Sequence, residues 1–297
     1  MESSLVLKIA MRLANRILSL AGGAKLYAPP GHFGSPIVNS RDVDEFVINR
    51  EKNKKSEFPD FNNSEMDIFF EEISTFFEKV AFLGSKCSNK RYTDSNELFN
   101  LGDAYTLASI MASVKPRKFV EIGSGYSSAC ALDTVETFKI DTEFTFIEPY
   151  PKRLYSLLTE QDTARCKIVE KPVQAVDPDV FESMKANDIL FIDSSHIMKT
   201  GSDVSHEFFE ILPALQPGVI VHFHDIFAGW EYPEVWIREN NRSWNEMYAL
   251  RAFLMYNNRF KILFFNDYFW KSRTEKIKKT PLGSLNDPGS GIYLRKT

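Results

Sequence analysis

Short apolar runs alternate with longer amphipathic stretches from about residue 118 to the end of the chain. FVEIG (119–123), FTFIEPY (144–150), KIVEKP (167–172), DILFIDSSH (188–196) and GVIVHFHDI (218–226) each read as a buried strand. Each is short, apolar and bounded by polar or turn-forming residues. Helical spacing recurs between them at 127–138, 151–160 and 201–213. A long helix over 243–256 precedes FKILFF (260–265), and GIYLRK (291–296) closes the chain. Strands alternating with helices predict an α/β fold: seven strands in a mostly parallel sheet with helices on both faces.

Upstream the pattern is helical. A helix over 103–114 leads into Pro116. A second, over 64–83, carries Ile68, Phe69, Ile73, Phe76, Phe77 and Val80 on one stripe, with Asn63 or Ser64 as its cap. Residues 49–63 are polar, and 21–40 are rich in Gly and Pro and read as an ordered loop. In SSLVLKIAMRLANRILSL (3–20), Lys8, Arg12 and Arg16 recur every four residues, while Leu5, Ile9, Leu13, Ile17 and Leu20 lean to another face. Two readings fit: a basic amphipathic helix in peripheral contact with an anionic membrane, or a helix packed on the body of the protein. Charges interrupt its apolar region and no A-x-A site follows, which argues against a secretory signal. The expected organisation is an N-terminal helical extension or lid over 1–99 and a main domain over 100–297. The extension either caps the cleft or makes a homo-oligomer contact.

Composition narrows the function classes. The 297 residues carry 36 Lys and Arg against 40 Asp and Glu, a net charge of −4, so the basic footprint of a nucleic-acid binder is absent. The three cysteines, Cys87, Cys130 and Cys166, form no CxxC pair. A reducing, cytoplasmic compartment is expected, with no cysteine zinc site. No run of 18 uninterrupted apolar residues occurs.

The first strand runs into Glu121-Ile-Gly123-Ser-Gly125-Tyr-Ser127, which opens a helix. Glycines there let the backbone turn sharply and approach a ligand. Ligands of open parallel sheets bind beyond the carboxyl ends of the strands. Glu148 ends the second strand, 23 residues after Gly125, at the spacing of an acid that accepts ribose hydroxyls. A dinucleotide fingerprint would need Gly at position 128, where Ser128 stands. Glu121 suits a cationic or amino-acid ligand better than a pyrophosphate.

VEIGSGYSS, FIEPYP, FIDSSH and PGVIVHFHD together resemble the class I S-adenosylmethionine-dependent methyltransferase family over roughly residues 100–297. The resemblance implies a Rossmann-like sheet whose last strand enters antiparallel. It implies that Glu121, Gly123, Ser124 and Gly125 line the methionine end of S-adenosylmethionine, with Glu148 on the ribose and Asp193 beside the cofactor. Asp193 and His196 form an I-D-x-x-H pattern similar to a subgroup with sugar and polyketide O-methyltransferases. In metal-dependent members such as the catechol enzymes, an acid ends strand four and a pair ends strand five. By that likeness Asp193, His224 and Asp225 would hold a divalent metal, and His196 would be the catalytic base. Imidazole departs from the oxygen set that Mg²⁺ prefers and suits Mn²⁺, Fe²⁺ or Zn²⁺ better. The plainer alternatives are that Asp193 and Asp225 bind cofactor or cap turns, and that His196 is a structural hydrogen-bonding residue. His222, deeper in the sheet, reads as a core histidine, His206 as a surface residue, and His32 as a candidate lid residue.

The segment 227–258 supplies Trp230, Tyr232, Trp236, Trp244 and Tyr248. Such aromatics stack on sugar faces or planar rings, so a small glycosyl or aromatic acceptor fits, as does a packed helical cover. Arg238, Arg242 and Arg251 read as surface residues or partners of an anionic acceptor. The leading expectation is O-methylation. N- or C-methylation, a nicotinamide oxidoreductase and a non-catalytic methyltransferase-like binding module are the alternatives.

Overall fold

The computed structural model describes residues 9, 12–17, 26–39, 43, 59–84 and 90–297. The chain forms two compact units: Met1–Ser56 with Tyr232–Trp244, and Glu57–Glu231 with Asn245–Thr297. Residues 59–84 and 90–99, expected to belong to a separate extension, are part of the larger unit.

Among the described residues the larger unit carries a seven-stranded sheet. Its strands are β1 (Lys118–Ile122), β2 (Glu143–Ile147), β3 (Lys167–Val169), β4 (Ile189–Ile192), β5 (Ile220–Phe223), β6 (Phe260–Phe265) and β7 (Ile292–Lys296). The order is β3-β2-β1-β4-β5-β7-β6. All pairs from β3 to β5 are parallel, and β7 runs antiparallel between β5 and β6. This is the Rossmann-like, mostly parallel sheet that the order of apolar runs predicts, with an antiparallel last strand. The order reverses between β1 and β4, which places a crevice beyond their carboxyl ends. Both strands are buried along nearly their whole length, which explains why they read as continuous apolar runs.

The helices of the larger unit include α1 (Asn63–Ser74), α2 (Leu101–Val114), α3 (Tyr126–Phe138) and α4 (Glu246–Tyr256). Asn100 caps α2 by accepting from the Asp103 amide at 3.0 Å. Residues Gly102 to Ala112 of α2 are buried, because α2 packs against both α1 and α3. The single helix expected over 64–83 is broken after Ser74. Ser74 and Thr75 hydroxyls donate back to the Glu71 and Glu72 carbonyls, and a short helix resumes at Phe77–Val80. Ile68, assigned to the buried stripe, is 69% exposed. Neither Asn63 nor Ser64 is the cap; Asn62 holds that position, and its amide donates to Glu65 and to the Ile262 carbonyl. The strands also end earlier than their apolar runs, so residues 148–150, 193–196 and 224–226 leave the sheet as loops.

In the smaller unit, residue 9 and residues 12–17 are helical. The rest of the 3–20 segment lies outside the described residues. Asn15 is hydrogen-bonded to the Leu26 backbone, and the Arg242 guanidinium lies 4.4 and 4.6 Å from the Trp236 and Trp244 rings. Among the described residues no helix is long and apolar enough to cross a membrane. Cys130 and Cys166 are buried and free, and Cys87 lies outside the described residues.

One ionic cluster ties the chain before α2 to the sheet's helical cover. Arg91 contacts Asp133 at 2.8 Å, Glu136 at 2.7 Å and Asp162 at 2.6 Å. Asp133 and Asp162 are almost fully buried. Against its burial, Arg91 and Thr159 hold the Asp162 carboxyl well below the usual range. Arg91→Ala strands two buried carboxylates and should lower the unfolding free energy by about 3 kcal/mol, measured by urea denaturation at pH 7. The Asp162 contribution is complete above its unfolded pKa of about 3.9 and is lost as pH falls toward the lower folded value. The gap between wild type and variant should therefore narrow in acid.

Candidate active site

The crevice begins where β1 ends. Gly123 has a φ of +80°, and a Cβ there would sit 1.8 Å from the Asp193 carbonyl oxygen. Only glycine permits both the turn and the approach of the β1 and β4 ends. The Gly125 amide donates to Ser128 Oγ at 3.0 Å, and that hydroxyl donates to Glu121. Glu121 is fully buried beneath the loop. It is placed to act on the glycine loop through Ser128. Burial pushes its carboxyl up to about 8, against hydrogen bonds from the neighbouring serines.

Glu148 stands at the end of β2. Its carboxylate accepts from the Ser124 amide at 3.3 Å and the Tyr150 amide at 2.8 Å. Two cavities meet here. One of about 430 Å³ is lined by Glu148, Pro172, Val173, Asp193, Ser194 and Asp203 among others. The other, about 80 Å³, is lined by Phe99, Ser124, Gly125, Glu148, Arg153 and Asp193 among others. The first has room for a nucleoside, and the second lies at the amides of the glycine loop. A larger cavity, about 530 Å³, lies at the β6 edge, lined by Pro59, Leu254, Tyr256 and Lys261 among others. The acids and histidines at the carboxyl ends of the strands do not line it.

Beyond β4 and β5 the structure gathers acids around one histidine. His196 Nε2 lies 3.2 Å from Asp193 and 3.7 Å from Asp225, and its Nδ1 is 2.7 Å from Glu246. His196 and Asp225 both adopt positive φ, +58° and +57°. Such backbone strain in non-glycine residues persists only where surrounding contacts enforce it. At His196 the N-terminal end of α4 enforces it. The Asn245 and Glu246 amides donate to the His196 carbonyl at 3.0 and 3.2 Å, and the Asn245 side chain exchanges two hydrogen bonds with Met198. Ser195 is tied to Asp203 through its amide at 2.9 Å and its hydroxyl at 2.5 Å.

The charges follow from this packing. Burial would lower the His196 pKa, but Asp193 and Glu246 outweigh it and hold it well above the ordinary histidine value. Glu207, in a π-helical turn at Glu207–Ile211, is pushed well above the carboxylate range by burial and by Glu246. Burial raises the Glu246 carboxyl as well, opposed by its hydrogen bond from His196.

Among the described residues Asp193, His196 and Asp225 offer donor atoms within 4.8 Å of one another. The expected set was Asp193, His224 and Asp225; the two aspartates are in this group, and the histidine that joins them is His196. His224 lies on the sheet side, 5.4 Å from Phe99 between ring centroids, and 3.7 Å from Asp225 through Nε2. His222 is a core residue, stacked on Phe191 at 4.0 Å and kept neutral by burial and by His224. His206 is half-buried. Trp230 and Tyr248 belong to the larger unit, whereas His32, Tyr232, Trp236 and Trp244 belong to the smaller.

Sequence reading missed Glu246, Glu207 and Asp103. Asp103, in the first turn of α2, is buried and accepts from the Ser290 and Gly291 amides and from Asn266. Ser290 in turn donates to Asp225 at 3.0 Å. Asp103 therefore positions Asp225 through the start of β7. Burial raises its carboxyl to about 7. An acid inside an otherwise apolar helix was the available signal.

A glycine loop over a β1/β4 crevice, with an acid at the end of β2, defines a nucleoside-cofactor site of the methyltransferase kind. Residues 120–226 match a family model described as a methyltransferase domain. A protein of Archaeoglobus fulgidus, described only as uncharacterized, is 30% identical over 165 residues, 54% of this chain and 74% of that one. The chain belongs to the class I S-adenosylmethionine-dependent methyltransferase family. Among solved structures, a Podospora anserina methyltransferase bound to S-adenosylhomocysteine is similar at 18% identity and a TM-score of 0.41, covering 89% of this chain and 100% of that one. An O-methyltransferase from Bacillus cereus in complex with S-adenosylhomocysteine is similar at 13% identity and a TM-score of 0.40, covering 87% and 96%.

Gly123→Ala should abolish S-adenosylmethionine binding in calorimetry, because the methyl group meets backbone and not a movable side chain. Glu148→Ala should weaken binding by roughly ten- to a hundredfold, the loss of hydrogen bonds to a charged group.

Proposed function

We propose that the enzyme transfers the methyl group of S-adenosylmethionine to a hydroxyl of a small glycosyl or aromatic acceptor. The observation that carries the reading is the His196–Glu246 pair beside Asp193 at the rim of the cofactor crevice. A sulfonium is already a good leaving group, so the protein need only align donor and acceptor and take the acceptor's proton. Glu121, through Ser128, and Glu148 order the loop that receives the cofactor. Neutral His196 takes the acceptor proton at Nε2. Glu246 fixes the ring through Nδ1 and stabilises the imidazolium that forms.

The three donor atoms within 4.8 Å support a second use of the same residues. Asp193, Asp225 and His196 would hold a divalent cation, and Glu246 at Nδ1 would orient the imidazole ligand. Two carboxylates and an imidazole suit Mn²⁺, Fe²⁺ or Zn²⁺ better than Mg²⁺. Such a cation would lower the acceptor hydroxyl's pKa.

The test is release of S-adenosylhomocysteine with panels of glycosides, catechols and amines. O-methylated products are expected, and methylated amines alone would overturn the acceptor class. Cofactor binding without turnover on any acceptor would favour a non-catalytic module. His196→Ala should lower kcat by about 10²- to 10⁴-fold with cofactor affinity unchanged. Full turnover in that variant would remove His196 from the chemistry. Mn²⁺ titration separates the two uses: unaltered affinity in His196→Ala supports the base alone, and a tenfold loss supports a ligand.

A base held protonated by neighbouring carboxylates works only above its raised pKa, so kcat/KM should rise with pH through that value. Glu246→Gln removes one of those carboxylates. The acid limb of the profile should then move to lower pH, and an unmoved limb would mean that Glu246 does not set His196's proton affinity.

A further inference from the structure

Residue 9 and residues 12–17 are helical, and their described hydrophobic side chains are exposed. Ile9, Leu13 and Ile17 are 56%, 60% and 59% exposed. At about 100° per residue they form one stripe, with Arg12 and Arg16 along its edge. The opposite side is the one tied to the chain. Asn15 Nδ2 donates to the Leu26 carbonyl at 3.2 Å, and Asn15 Oδ1 accepts from the Leu26 amide at 2.7 Å. A helix on a globular body normally faces the other way, with its apolar stripe inward. Beside the tie, Tyr27 and Phe33 are 93% and 91% exposed. The stripe of Ile9, Leu13 and Ile17 therefore faces solvent.

Charge identifies what covers them. Residues 3–26 contain Lys8, Arg12, Arg16 and Lys25 and no Asp or Glu, on a chain of net charge −4. A second copy packed through this stripe would set arginine against arginine with no acid in the segment to pair them. An anionic bilayer supplies both needs: phosphates for the basic edge and an acyl boundary for the aliphatic stripe. Arginine stems can lie along the apolar surface while their heads reach the phosphates.

We propose that this face is a peripheral membrane-binding surface, selective for anionic lipid. Ile9, Leu13 and Ile17 enter the interface, and Arg12 and Arg16 bind head-group phosphates. The inference stands apart from the identity of the methyl acceptor. It is tested by co-sedimentation of the full chain with vesicles of phosphatidylcholine alone and of phosphatidylcholine mixed with phosphatidylserine. The mixed vesicles should bind at least about tenfold more tightly, and added salt should weaken that binding. The double variant Leu13→Asp, Ile17→Asp should lose binding, as should Arg12→Glu with Arg16→Glu. Both double variants should keep wild-type affinity for S-adenosylmethionine, which shows that the larger unit is folded. Absence of wild-type binding, equal binding to neutral vesicles, or unchanged binding by Leu13→Asp, Ile17→Asp would each overturn the proposal. So would a dimer in light scattering that this variant dissolves, which would assign the face to a second copy.

Discussion

The carboxyl ends of β1 and β4 meet at a place where no side chain is tolerated. Gly123 turns with positive φ directly against the Asp193 carbonyl. That contact sets the depth of the crevice and the direction of the glycine loop into α3. It also sets where the loop after β4 begins. Glu148, the cavities on either side of it and the Asp193 carboxylate all take their positions from this approach.

Around that point the structure concentrates carboxyl groups. Asp193, Asp225, Glu246, Glu207 and Asp103 lie within electrostatic reach of His196 or His224. Burial would discharge most of them in isolation. Instead His196 and His224 hold the Asp193 carboxyl below the ordinary carboxylate value, while burial raises Glu207 and Glu246. The arrangement favours a positive group at its centre, be it an imidazolium, a metal ion or the sulfonium of the cofactor. Strained backbone at His196 and Asp225 shows that this clustering is imposed by the surrounding fold.

Much of this was readable from the chain. Parallel strands bring their carboxyl ends to one edge of the sheet, so Gly123, Glu148, Asp193 and Asp225 were expected there together. The antiparallel final strand was expected as well. The break after Ser74 was not, because hydroxyls bonding back to the preceding turn compete with a helix-length apolar stripe. That His196, and not His224, comes within 4.8 Å of both aspartates was not readable either. Both histidines stand near strand ends, and only the left-handed turn at His196, held by α4, aims its ring at the two aspartates.

The order of apolar runs, the glycines and the acids that end the strands determined the fold and the cofactor class, because they act through local backbone preference and burial. Glu246, fifty residues after His196, became its partner only through tertiary packing. So did the burial of Glu207 beside it and the positioning of Asp225 by Asp103. Those assignments depend on distances of a few ångströms in a poorly solvated interior, where the strength of a charge is set by neighbours that the order of residues does not specify.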